Sequence, residues 1–104
     1  MYGLVGRIRA LPGKRDDLAQ ILIMEDGAMP GCLSYVVAED PADPDVLWVT
    51  EVWVDQAAHR ASLTLDAVRE AIARGRPLIA GFDSQVVTNV LGGIGLPREP
   101  RRLN

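Results

Sequence analysis

The chain has 104 residues, 48% of them hydrophobic and 24% charged, with a formal net charge of −3. That length suits one domain with one modest core and is too short for two. The acidic balance and the lack of a basic stripe argue against nucleic acid as a partner. The single Cys32 excludes an intramolecular disulfide and a cysteine-rich metal site.

Residues 2–11 read as a strand, with Tyr2, Leu4, Gly6, Ile8 and Ala10 on one face and Val5, Arg7 and Arg9 on the other. Pro12-Gly13 ends it. Residues 14–26 read as a helix. Leu18, Ile21 and Leu22 fall near helical spacing, and Asp16 and Asp17 suit its first turn. Gly27 and Pro30-Gly31 punctuate the exit. Residues 32–39 form a second strand, in which Cys32 reads as a small buried hydrophobe rather than a nucleophile. Asp40-Pro41-Ala42-Asp43-Pro44-Asp45 has the composition of a turn, and residues 46–54 form a third strand.

Asp55 suits the N-cap of a short helix through about residue 63, and Thr64 or Asp66 would cap a second. Ala58, Ala61, Leu65, Val68 and Ile72 make an apolar stripe across both, which Gly75 and Pro77 stop. Residues 82–91 read as a fourth strand. Residues 92–104 are Gly- and Pro-rich without periodicity, an extended arm beyond a domain of residues 1–91. Gly92, Gly93 and Gly95 follow a strand but open no helix, so they form no phosphate-binding fingerprint. Three arginines in the arm read as a solvated terminus. Met1-Tyr2-Gly3-Leu4 lacks the pattern of a signal peptide, and no apolar run is long enough to span a bilayer. A cytoplasmic protein without a membrane partner is the expectation.

The order β-α-β-β-α-β is the ferredoxin-like α+β arrangement, a four-stranded antiparallel sheet with its helices on one face. Both faces of the third strand are apolar: Leu47, Val49 and Trp53 on one, Trp48, Val52 and Val54 on the other. The helices can cover only one face. A second copy of the sheet is the simplest cover for the other, which predicts a homodimer with its sheets face to face. Tyr35 is assigned to that interface.

The chemistry concentrates between Ala28 and Arg60. Glu51 and Trp53 lie two residues apart, hence on one face of a sheet. His59, the only imidazole, follows on the next helix. Trp53 offers a flat wall and an N–H donor. Glu51, among apolar neighbours, is a candidate base; the alternative is an ion pair with Arg60, Arg69 or Arg74. His59, at the edge of the apolar stripe, suits a proton shuttle or, equally, a surface or capping role. One His and one Cys without clustered ligand spacing make no metal site.

Several segments carry a family likeness. They are Pro12-Gly13-Lys14 before the first helix, Met29-Pro30-Gly31-Cys32-Leu33-Ser34 into the second strand, Glu51-Val52-Trp53 with Ala57 and Ala58, and Arg76 to Phe82. Over residues 2–91 the chain resembles the antibiotic biosynthesis monooxygenase family, including its quinol-monooxygenase-like members, of the dimeric α/β-barrel superfamily. Members with oxygenase activity oxidise an electron-rich phenol or quinol with O2, using no metal, flavin or haem. The resemblance implies a pocket between sheet and helices. Trp53 matches the strand-three tryptophan of an antibiotic-tailoring oxygenase in the family. His59 falls where that enzyme has a tyrosine, Val49 where it has an asparagine, and Ala38 where it has a histidine. Its pocket arginine aligns near Ala73, so Arg74 would replace it after a one-residue shift. In quinol-type relatives the helix histidine lies nine residues after the strand aromatic, a position held here by Ser62. The haem degraders' asparagine and histidine correspond to Gly6 and Ile72, which speaks against haem cleavage.

These readings converge on a cofactor-independent monooxygenase. Glu51 or His59 would take the phenolic proton, and Trp53, Val49 and Arg74 would hold a small aromatic substrate. The alternatives are a dimeric small-molecule binding protein without turnover and an acid–base isomerase on the same scaffold.

Overall fold

The computed structural model describes residues 1–23 and 29–97. The chain runs β1 (Tyr2–Ala10), α1 (Arg15–Ile23), β2 (Cys32–Glu39), β3 (Val46–Trp53), α2 (Gln56–Ser62), α3 (Asp66–Gly75), a 3-10 turn (Arg76–Leu78) and β4 (Ile79–Asn89). The four strands form one antiparallel sheet in the order β2-β3-β1-β4. This is the ferredoxin-like α+β arrangement, with its second helical region divided in two. No helix among the described residues is long and apolar enough to cross a membrane.

Strand parity decides which residues meet the helices. Tyr2, Leu4, Gly6 and Ile8 of β1 pair with Trp53, Glu51, Val49 and Leu47 of β3. Ile8, Ala10, Leu47 and Val49 pack there with Leu18 of α1, which is fully buried, and with Leu22 and Ile79 at their margin. Asp16 and Asp17 occupy the first turn of α1, where carboxylates favour the positive end of the helix. Gly75 lets α3 approach α1, since a Cβ there would lie 3.3 Å from Leu18 Cδ1.

The reversal between β2 and β3 is built from carboxylates. Asp40 Oδ1 accepts from the backbone N–H groups of Ala42 (2.9 Å) and Asp43 (3.0 Å), and Asp40 Oδ2 accepts from Trp48 Nε1 at 2.9 Å. Asp43 Oδ1 accepts from Asp45 N at 3.0 Å. These local bonds replace the ladder where prolines interrupt it. Arg15 of α1 donates to Asp43 O at 2.9 Å and to Glu39 Oε2 at 2.8 Å, tying the helix to the turn.

Four expectations need correction. Tyr35 faces the helices, not the open face of the sheet: it pairs with Glu51 and packs against the core. A bulge at Leu33 puts it there. By strict alternation from Cys32, which pairs with Trp53, Tyr35 would fall on the open side. β4 begins at Ile79, three residues earlier than expected, because two register shifts let it follow β1 down to Ala10. Its far end stops at Asn89. The second cap is neither Thr64 nor Asp66. Leu65 precedes α3 without a side-chain bond, and Thr64 Oγ1 instead donates back to Ala61 O at 2.7 Å. Ala61 of the expected stripe is exposed. The expected helical residues 24–26 and most of the arm beyond residue 97 lie outside the described residues.

Candidate active site

Between the sheet and its helices lies a cavity of about 450 Å³, within the range of small-ligand sites. Gly6 and Val49 belong to its floor, Tyr35 of β2 and Phe82 and Gln85 of β4 to its sides, and Leu18, Leu22, Val68 and Ile72 to its helical roof. Gly6 leaves room there. A Cβ at that position would meet nothing closer than Val49 O, at 3.9 Å.

The polar groups gather where β3 passes into α2. Trp53 is 1% exposed, and its Nε1–H donates to Glu51 Oε1 at 3.0 Å. An indole has one N–H, so this bond commits it. The carboxylate is thereby fixed against the sheet, half-buried on the cavity wall. Among the described residues Glu51 forms no ion pair with Arg60, Arg69 or Arg74. His59 stands edge-on to Trp53, with ring centroids 5.4 Å apart and planes at 66°, and 5.7 Å from the ring of Tyr2.

Local sequence explains how His59 arrives there. Asp55 caps α2, its carboxylate accepting from Ala58 N at 2.8 Å. Val54 N donates to Gly31 O at 2.8 Å, which pins the strand end to the entry of β2. Gly31 has φ +85°, and a Cβ there would sit 2.6 Å from Ala58 Cβ. Only glycine lets α2 lie this close, and His59 follows on the next residue.

The structure thus brings Glu51, Trp53, Val49 and His59 to one cavity. It does not bring Arg74, which is exposed on α3 and outside the lining. Arg76 in the turn after α3 lines it instead. Arg74 sits on the exposed side of α3, one residue before Gly75, and the 3-10 turn that follows brings Arg76 to the cavity. Ala38 is exposed on the open face of β2, across from Trp48. Sequence reasoning also missed Tyr35, through the bulge, and Gln85, which pairs with Gly6 from β1's other side.

A sequence model of antibiotic biosynthesis monooxygenases matches residues 1–74. The chain belongs to the antibiotic biosynthesis monooxygenase family. It is 55% identical to a Chloroflexus aurantiacus J-10-fl protein named as a putative member of that class. The two superpose with a TM-score of 0.88 over 92% of this chain and 98% of that one. A similarly named protein from Deinococcus radiodurans is 26% identical, with a TM-score of 0.70 over 90% and 96% of the two chains. At 14% identity, one from Nitrosomonas europaea shares the fold, with a TM-score of 0.78 over 88% of this chain and 100% of that one. No curated protein matches the sequence significantly.

Proposed function

We propose that this family member is a monooxygenase that oxidises a small phenol or quinol with O2 without a bound cofactor. The observation that carries the reading is the Glu51 carboxylate, held by Trp53 Nε1 at 3.0 Å on the wall of a largely apolar cavity, with His59 against the same indole. A flat ring fits beside Trp53. Its hydroxyl proton passes to Glu51 or His59, each placed in the corner where that hydroxyl would lie. The apolar walls keep water from the phenolate, so the electron-rich ring gives an electron to O2 rather than being quenched. The chain supplies binding, a proton acceptor and exclusion of water, and the substrate supplies the electrons.

Oxygen uptake with a panel of hydroquinones and naphthols, in chelator and without added flavin, tests this. Substrate-dependent uptake supports it when the product is a quinone carrying one new oxygen from O2, the second oxygen leaving as water; a requirement for metal or flavin overturns it. A second reading, binding without turnover, draws on Val49, a buried aliphatic residue on the cavity floor that offers an oxygen intermediate no polar partner. Saturable binding of the same compounds with no oxygen uptake would favour it.

A further inference from the structure

We propose that Arg76 is an anion-binding residue at the mouth of this cavity, and that the ligand is a phenol carrying a carboxylate at the end away from its hydroxyl. The inference rests on reading the cavity as a site for a small phenol.

Of the described residues that line the cavity, Arg76 is the one arginine or lysine and Glu51 the one carboxylate. Ile72 of α3 and Phe82 of β4, also in the lining, are 40% and 65% exposed. The cavity therefore opens between those two elements, and the turn that joins them carries Arg76, itself exposed. Arg7, Arg9 and Arg15 each meet a carboxylate within the chain. The Arg76 guanidinium forms no ion pair or hydrogen bond with any described residue. Its fork of N–H donors is open to an incoming acceptor, and that fork matches a carboxylate through two parallel bonds.

The two charges lie toward opposite ends of the cavity. Glu51 pairs with Leu4 of β1, whereas Ile79, which directly follows the turn of Arg76, pairs with Ala10. Six residues of β1 separate those levels, about 20 Å of strand. An anionic group is repelled at the Glu51 end and attracted at the Arg76 end. A hydroxy acid thus has one favoured orientation, with its hydroxyl on Glu51, its ring between the apolar walls and its carboxylate at the mouth. There the carboxylate keeps part of its hydration, which a fully buried anion would lose. The ligand's hydrocarbon at the same time covers the apolar rim that Ile72 and Phe82 present to solvent.

Anaerobic calorimetry at neutral pH with para-coumarate, its primary amide and para-cresol tests the proposal. The parental protein should bind the acid about fivefold more tightly than the amide, the upper range for an ion pair that stays in contact with water. Added salt should shrink that ratio. Arg76→Ala should abolish the preference while leaving the affinity for the amide unchanged. Arg76→Lys, which keeps the charge but not the fork, should retain part of it. Arg76 also complements the C-terminal end of α3. A purely structural role would lower the melting temperature of Arg76→Ala without changing the ratio of acid to amide, and that result overturns the proposal. Equal binding of acid and amide by the parental protein overturns it too. If the parental protein binds none of the three, the cavity reading falls with it, and para-cresol, which has no acid, tells the two failures apart.

Discussion

Glu51 takes the only proton that Trp53 can donate, and this single bond organises the candidate site. Glu51→Gln and His59→Ala separate the two possible proton acceptors. The one that acts as base should lose roughly 10²–10⁴-fold in rate, and the other should lose far less. Steady-state oxygen uptake at saturating quinol measures both; parental rates in both variants would remove these residues from the mechanism. Gly6→Val tests the cavity rather than the chemistry. Its Cβ would make only an ordinary contact with Val49 O at 3.9 Å, and a β-branched residue suits a strand interior better than glycine. The variant should melt no lower than the parent yet lose ligand binding. Retained binding by calorimetry would place the ligand elsewhere. The Glu51–Trp53 pair was legible in the sequence because a two-residue spacing on a strand fixes a shared face. Tyr35 was not, since a bulge shifts the count by an amount that no alternation pattern reveals, and Arg76 lies past the end of α3 on a 3-10 turn that the helical stripe does not place.

At the scale of elements, α2 is the piece on which the site depends. It has seven residues, too few to hold itself together, and it carries both His59 and Ser62. Its cap is a single carboxylate, Asp55, on Ala58 N. Asp55→Ala should cost about 1 kcal/mol of stability and loosen His59, raising KM for the quinol. Asp55→Asn should restore most of the loss, and thermal melts together with kinetics read both effects. The β2–β3 turn sets the acid limit of the fold. Hydrogen bonds from Trp48 Nε1 and from the Ala42 and Asp43 backbone hold the Asp40 carboxyl below its usual range. The Asp45 N–H and Arg9 do the same for Asp43. Groups whose folded pKa is lowered stabilise the fold fully above their unfolded value. They release that stability as pH falls through the folded one. Melting temperature should therefore stay level near neutrality and fall below about pH 4. Asp40→Asn should flatten that acid limb; an unchanged limb would assign it to other carboxylates. The sequence marked this turn and the cap of α2 correctly, because Asp beside Pro and Asp before a helical stripe are local signals. The true start of β4 was invisible, because pairing with β1, not local composition, sets it.

At the scale of the whole molecule, the helices cover one side of the sheet and leave the other bare. Val36 of β2 and Val86 of β4 are 51% and 52% exposed. Both lie on the open face in register with Thr50 and Val5, at opposite edges of the sheet. Arg7, Arg9, Asp40, Asp43 and Asp83 pair among themselves at one end of this face, which leaves its apolar part free of unpartnered charge. We expect a second copy of the chain to cover it, in an interface on the order of 2,000 Å². Val52 is a poor probe of this, because it is only 9% exposed in the single chain and a charge there would damage the fold directly. Val36→Asp and Val86→Asp are cleaner. In a lone chain each charge would sit in water and change stability by less than about 0.5 kcal/mol. Across a sheet-to-sheet interface each would be buried without a partner, twice in a symmetric dimer. Sedimentation velocity at micromolar concentration should show the parent as a dimer and both variants as monomers or unfolded chain. A parental monomer that stays folded, or a Val36→Asp, Val86→Asp double variant that remains dimeric, would mean that the open face meets something other than its own copy.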